Sequence, residues 1–263
     1  MDLKLKGKRA LVTGSTAGIG FAIARGLARE GADVVVNGRT EGKVAEAIKR
    51  MLSDTATRVT GVAADLGSST GVDQLLQKVG AVDILVNNVG IFEPKPFLEI
   101  PDADWLRFFE INVMSGVRLS RALLPHMLER NWGRIIFISS ESGVQIPSEM
   151  LHYGVTKTAQ LALSRGIAES VAGTGITVNA VLPGPTRSEG VVAFLDKMAA
   201  DRGVRVEDHE KEFIKTNRPS SLIQRFAEPE EVANPVVYLC SEAASATTGS
   251  TLRVDGGVVR SIL

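Results

Sequence analysis

The sequence predicts an α/β fold: a single doubly wound parallel sheet of about seven strands, with helices on both faces. Three observations carry this. Short β-rich apolar runs alternate with longer helical patterns along the chain. Those runs are continuous and not alternating, as strands are when both faces of a parallel sheet are covered. The chain also has 263 residues, 44% of them hydrophobic, with no repeat, low-complexity tract or linker to divide it. Residues 1–263 therefore read as one domain.

The expected strands are RALVT (9–13), DVVVN (33–37), RVTGVAA (58–64), DILVN (83–87), RIIFIS (134–139), TVNAVL (177–182) and TLRV (251–254). Helices are expected at 18–30, 40–53, 69–79, about 102–130, 150–172 and 229–241. The first ends before Gly31, a C-cap signal. The last opens on Pro229 and two glutamates, which suits a helix start. Repeated strand–helix–strand units with right-handed crossovers fix most of the topology. Residues 184–224 contain no strand. Two short helices, about 189–202 and 207–217, fill the segment, and the second (EDHEKEFIK) is highly charged. It reads either as a solvated surface hairpin or as a substrate-binding lid.

Thirty basic and thirty acidic residues cancel. No basic field exists to hold a nucleic acid backbone. Cys240 is the only cysteine, and it reads as a core residue. His126, His152 and His209 are far apart in sequence, so no metal site is expected. His209, flanked by acids, reads as solvated. No apolar run approaches the ~20 residues of a membrane span, and the N-terminus lacks an apolar signal region. A cytoplasmic protein is expected.

The first expected strand runs into TGSTAGIG, residues 13–20. Gly14, Gly18 and Gly20 then fall between a strand and a helix. Glycine is needed where a tight turn lets backbone approach a ligand. A helix N-terminus there aims free N–H groups at an anion such as a pyrophosphate. The alternative is a structural turn with no ligand.

A second feature is LHYGVTK, residues 151–157, which sets Tyr153 four residues before Lys157. On a helix the two share one face, about 5–6 Å apart at Cβ. A half-buried tyrosine beside a solvated lysine is the plain reading. The chemical reading is that a nearby ammonium lowers the tyrosine pKa and tunes it for general acid/base work.

Thr13–Gly20, the NNVG run at 87–90 and Tyr153-x-x-x-Lys157 together resemble the short-chain dehydrogenase/reductase family, and within it the 3-oxoacyl reductases. The order and spacing fit along nearly the whole chain, and LPGPT (182–186) and RVDGG (253–257) resemble later motifs of the family. The resemblance implies a Rossmann-type fold and a ketone–alcohol oxidoreductase. It implies the catalytic set Asn112, Ser140, Tyr153 and Lys157. Ser139 and Ser142 compete for the serine role, but only Ser140 has the family's spacing to the tyrosine. In the family the asparagine steers a water toward the lysine, and the lysine also bonds the nicotinamide ribose. Cofactor contacts implied by position are Gly14, Ser15, Thr16, Gly18, Ile19, Gly20, Asp65, Leu66, Asn87, Gly90, Pro183, Gly184 and Thr186, with Tyr153 and Lys157. Val89 stands where alanine is usual, and the 184–224 segment is longer than in many members. A homotetramer or homodimer is expected by the same resemblance, pairing helices 102–130 and 150–172.

In a dinucleotide fold, an acid at the end of the second strand holds the ribose 2′-OH of NAD. Here Gly38 occupies that position and Arg39 follows. A guanidinium without a carboxylate suits a 2′-phosphate. NADP(H) is therefore the expected cofactor, with NAD(H) possible, and a small carbonyl or alcohol the expected substrate. Two other readings stay open: a dinucleotide-binding sensor or scaffold with little turnover, and a sugar-nucleotide epimerase or dehydratase, for which the chain has little room.

Overall fold

The structure is a computed structural model that describes residues 2–202 and 205–262. The His209 side chain, expected to be solvated, lies outside the described part. Seven parallel strands form one sheet in the order β3-β2-β1-β4-β5-β6-β7. They are β1 (Arg9–Val12), β2 (Asp33–Gly38), β3 (Val59–Ala63), β4 (Ile84–Asn87), β5 (Gly133–Ile138), β6 (Ile176–Pro183) and β7 (Thr251–Val254). Each matches an expected apolar run to within a residue or two.

Alternation within those runs assigns side chains to two cores. Ala10, Val12, Ile84, Val86, Ile136 and Ile138 point to one face. There they meet α1 (Gly18–Arg29), α2 (Glu41–Leu52) and α9 (Pro229–Leu239). Leu11, Leu85, Ile135 and Phe137 point to the other face. They meet α3 (Ser69–Val79), α5 (Ser115–Glu129) and α6 (Leu151–Ser170). Because both faces are covered, alternation never appears as polar residues in the sequence. Cys240 is fully buried in the first core, and burial pushes its thiol up to about 12.

The expected helix at about 102–130 forms, but not as one regular α-helix. α4 (Asp102–Phe109) gives way to a π-helical turn, Glu110–Met114, before α5 resumes. Such turns appear mostly as single insertions inside α-helices, often at functional sites. The turn carries Asn112 into the protein interior.

Residues 184–224 form the expected helical pair, α7 (Glu189–Arg202) and α8 (Val206–Asn217). Leu195, Ile214 and Phe226 make a small third core beneath them, with Val191 and Phe213 packed against it. Among the described residues, no helix is long and apolar enough to cross a membrane. Nor do three or more His, Cys, Asp or Glu side chains gather where they could hold a metal.

Candidate active site

The sheet order reverses between β1 and β4, so their carboxyl ends diverge to leave a crevice. The two loops leaving those strands are stitched together there. Thr13 Oγ1 accepts from the main-chain N–H of Asn88 at 2.9 Å and of Val89 at 3.1 Å. In return Asn88 Nδ2 donates to the carbonyls of Thr13 and Gly14, at 2.9 and 3.1 Å. A Cβ built on Gly20 would lie 2.4 Å from that amide nitrogen and 2.5 Å from Gly14 O. Only glycine fits. Gly18 has φ +55°, the left-handed region that glycine enters freely.

A cleft of about 530 Å³ opens beside this turn. It is lined by Gly18, Ile19 and Gly20 at one end and by Ser140, Tyr153 and Lys157 deeper in. Gly90, Pro183, Gly184 and Thr186 also line it, with α7 and α8 across the mouth. The other expected residues stand outside the cleft wall. Ser15 is buried, its hydroxyl donating to Val12 O at 2.6 Å and accepting from Asn37 N at 3.0 Å. Gly14 N donates to Asn37 Oδ1 at 3.2 Å, and the Thr16 side chain faces Gly38. Asn87 turns into the core, with Nδ2 3.3 Å from Ser120 Oγ, while its neighbour Asn88 lines the cleft. Leu66 is buried and Asp65 exposed on the loop after β3. Arg39 is exposed at the end of β2.

Gly38 carries a separate constraint. A Cβ there would lie 2.4 Å from Thr16 Cγ2. An acidic side chain, the usual partner for an unmodified ribose, could stand here only if Thr16 shifted.

The deep end is assembled from four elements. Ser140 leaves the end of β5. Its hydroxyl donates to Glu141 and accepts from Ser142 N at 3.1 Å. Ser139 Oγ instead donates to Lys157 O at 2.8 Å. That hydroxyl is turned toward α6, although Ser139 and Ser142 line the cleft alongside Ser140. Tyr153 is half-buried, with Phe92 edge-on at a centroid distance of 6.4 Å. Lys157 Nζ lies 5.6 Å from the Tyr153 ring centroid. It donates to Ile138 O at 2.9 Å and to Gln160 Oε1 at 3.2 Å. Asn112 sits behind them, its Oδ1 accepting from Ile91 N at 2.8 Å and its Nδ2 donating to Thr156 Oγ1 at 3.0 Å.

The lowering of the Tyr153 pKa expected from Lys157 is not found. Burial raises the Tyr153 pKa and the Glu141 carboxylate raises it further; the Ser140 hydrogen bond and Arg218 oppose both. Burial lowers Lys157 to about 7. Desolvation disfavours both charged forms, and it outweighs the mutual attraction that helical spacing suggested.

Two contributors escaped the sequence reading. Glu141 and Arg218, the residue after α8, form a buried ion pair, with Arg218 Nε 2.8 Å from Glu141 Oε1. Arg218 Nη1 also reaches Glu149 at 3.3 Å. An acid directly after the strand-end serine was a signal of sorts, but nothing local marks Arg218 as its partner. Gln160, one turn beyond Lys157, shares the buried face of α6 with Thr156, Lys157 and Ser164, so nothing local set it apart. His152, next to Tyr153 in sequence, does not line the cleft. Its ring packs on Phe108 with centroids 3.9 Å apart.

This is the architecture of a nucleotide-binding α/β oxidoreductase, with a glycine-lined anion cradle and a hydroxyl–ammonium cluster in one crevice. A family model described as enoyl-(acyl carrier protein) reductase matches residues 14–259. The chain is 51% identical to the uncharacterized oxidoreductase YvaG of Bacillus subtilis, with 100% of both sequences covered. It is 35% identical to the 3-oxoacyl-(acyl-carrier-protein) reductase FabG of Aquifex aeolicus, over 98% of this chain and 100% of that protein. The L-sorbose reductase of Gluconobacter frateurii, solved with NADPH and L-sorbose, superposes with a TM-score of 0.94 at 36% identity, covering 100% of each chain. The chain belongs to the short-chain dehydrogenase/reductase family of NAD(P)-dependent oxidoreductases.

Proposed function

We propose that this protein is an NADP-dependent reductase that interconverts a small polar ketone and its secondary alcohol. The observation that carries the reading is the meeting of Ser140, Tyr153 and Lys157 in the cleft whose other end is the Gly18–Gly20 cradle. The cradle fits a dinucleotide: Gly20 has no room for a Cβ, and the Gly18 N–H already takes a carboxylate, that of Glu189. Gly38 and the exposed Arg39 favour a 2′-phosphate, and the sorbose reductase relative binds NADPH.

When bound, the cofactor supplies the hydride. The chain's own residues do the rest. Ser140 and Tyr153 hydroxyls hold the substrate oxygen, where negative charge develops. Tyr153 gives that oxygen a proton, and its raised pKa keeps it protonated and ready at rest. Lys157, bonded to Ile138 O and Gln160, presents its ammonium beneath the Tyr153 ring. It favours phenolate once the proton has left. Asn112 anchors Ile91, in the loop after β4, and Thr156 around this group.

A neutral ketone suits the lining. The cleft's cations are engaged: Arg218 by Glu141 and Glu149, and Lys157 by Ile138 O and Gln160. Neither is spare for a substrate phosphate or carboxylate, while Glu149, Thr216 and Asn217 can meet hydroxyls. The sorbose reductase relative acts on such a polyhydroxylated ketone.

Exposed Leu98 and Leu106, with Phe109 and Leu128, put apolar surface on the turn before α4 and on α4 and α5. We take this as the face that joins a second copy, giving a dimer or tetramer in the cytoplasm. Sizing at micromolar concentration checks it, and a monomer would count against it.

The deciding assay follows nicotinamide absorbance with L-sorbose, other ketoses, simple ketones and 3-oxoacyl esters, with NADPH and NADH side by side. Turnover that favours NADPH and a ketose, and that vanishes in Tyr153→Phe, supports the reading. Cofactor binding without turnover on any substrate would favour the sensor alternative.

A further inference from the structure

Gln160 is buried one helical turn beyond Lys157. Its side-chain amide makes two bonds in opposite senses. Oε1 accepts from Lys157 Nζ at 3.2 Å, and Nε2 donates to the main-chain carbonyl of Asn112 at 2.6 Å. That carbonyl belongs to the π-helical turn Glu110–Met114. One side chain thus spans the gap between Asn112 and Lys157 that the family resemblance assigns to a water.

We propose that Gln160 is a positioning residue that fixes the Lys157 ammonium at the foot of the cleft by bridging it to the Asn112 turn. The inference rests on the reading of Lys157 as a partner of Tyr153. The chemistry asks for an amide. A buried ammonium needs an acceptor and a buried carbonyl needs a donor, and a carboxamide offers both on separate atoms of one flexible stem. Glutamate would satisfy the ammonium but face the carbonyl with a second acceptor. Leucine would satisfy neither. With the bridge in place, Lys157 is held by two acceptors, Ile138 O from β5 and Gln160 from its own helix, before any cofactor enters. Asn112 is in turn fixed by Ile91 and Thr156. The chain of bonds from the loop after β4, through the π turn, to α6 sets one position for the charge.

The test compares Gln160→Leu, Gln160→Ala and Gln160→Glu in the full chain, with Gln160→Met as a second apolar variant should leucine prevent folding. The first readout needs no substrate. Titration of the Lys157 side chain by NMR in cofactor-free protein is expected to move down in the leucine variant and up in the glutamate variant. In the alanine variant it stays near the wild type, because the vacated polar space can hold a bridging water. The titratable and charged groups around Lys157 are Tyr153 on its own helix, and Glu141 and Arg218, which act on Tyr153. All three are unchanged in these variants. The second readout is turnover of L-sorbose with NADPH. We expect kcat to fall ~100-fold in Gln160→Leu, by about tenfold or less in Gln160→Ala, and KM to change little in either.

A packing role predicts the reverse order, since leucine fills the volume and alanine leaves a void. A Lys157 titration unmoved by leucine, or leucine outperforming alanine in kcat, overturns the proposal. Tyr153→Phe is run alongside. Wild-type turnover in that variant removes the active-site reading, whereas its loss together with an unmoved Lys157 removes only the Gln160 bridge.

Discussion

The carboxylate of Glu189, at the start of α7, accepts a hydrogen bond from the main-chain N–H of Gly18, at the start of α1. Its second oxygen lies 4.0 Å from Arg50 Nη2. The contact joins the helical pair over the cleft to the anion cradle beneath it. A carboxylate at a helix N-terminus is favourable by about 0.3–1 kcal/mol. A pyrophosphate in the same cradle must displace it. Glu189→Gln is therefore expected to tighten NADPH binding by roughly 2- to 5-fold, most strongly at low ionic strength, where charge is least screened. Calorimetric titration measures this, and unchanged affinity at low salt would refute the displacement.

Cofactor choice is expected to sit at Gly38 and Arg39. Arg39→Ala should lower the NADPH-over-NADH ratio of kcat/KM by about tenfold, equivalent to ~1.4 kcal/mol of lost phosphate recognition. Installing an acid at Gly38 is a different experiment. The new Cβ would meet Thr16 Cγ2 at 2.4 Å, so Gly38→Asp should destabilise the fold by about 1–3 kcal/mol. Its companion Gly38→Asp with Thr16→Ala should recover part of that loss. If Arg39→Ala leaves the cofactor ratio intact, the 2′-phosphate is held elsewhere.

What the sequence revealed and what it hid divide along a physical line. Local patterns were sufficient for the strands, because continuous apolar runs such as DILVN and RIIFIS follow from burial on both faces. They were sufficient too to place the glycine turn between β1 and α1 and to set Tyr153 and Lys157 one turn apart on α6. The break between α4 and α5 was invisible, because nothing in FEINVM announces a π turn. Its setting is tertiary: Asn112 bonds Ile91 and Thr156, and Gln160 bonds the Asn112 carbonyl. The Glu141–Arg218 pair joins residues 77 positions apart, which no window detects. The pKa relation went astray for the same reason, since burial is a property of the folded whole.

Lys157 gives the cofactor-free protein a distinctive pH response. The unfolded chain keeps the lysine proton up to its ordinary 10.5, whereas the folded chain releases it near 7. Between these values the unfolded state binds more protons, so stability rises with pH. Below 7 the buried ammonium imposes its full desolvation cost. Cys240 and Tyr153 are shifted upward, so they retain protons that the unfolded chain loses and oppose the trend above about 8, the thiol first. His152 is shifted downward and acts below its ordinary 6.5. The clean window is about pH 7 to 8. Thermal melts across it are expected to show a rise in Tm that Lys157→Met flattens; an equal slope in both proteins would contradict the assignment.

The Glu141–Arg218 pair offers the most direct test of how the segment over the cleft is tied to the chemistry. Both side chains are buried, at 5% and 8% exposure, and the Ser140 hydroxyl donates to the same carboxylate. Removing one partner leaves a buried charge without its complement, a loss of about 3–5 kcal/mol. Arg218→Met alone should show this in urea denaturation, and Glu141→Gln alone should show a similar loss, because it strands the guanidinium with only Glu149. The double variant should recover much of the deficit, with a coupling of at least ~1 kcal/mol as expected for residues in direct contact. Activity supplies an independent reading. Glu141 raises the proton affinity of Tyr153 and Arg218 lowers it. The alkaline limb of kcat/KM should therefore move up in Arg218→Met and down in Glu141→Gln. Opposite shifts with strong stability coupling would make the pair one electrostatic unit that also fastens the end of α8 to Ser140. Additive stability losses, or shifts of the same sign, would leave Arg218 a fastening for α8 with no influence on the tyrosine.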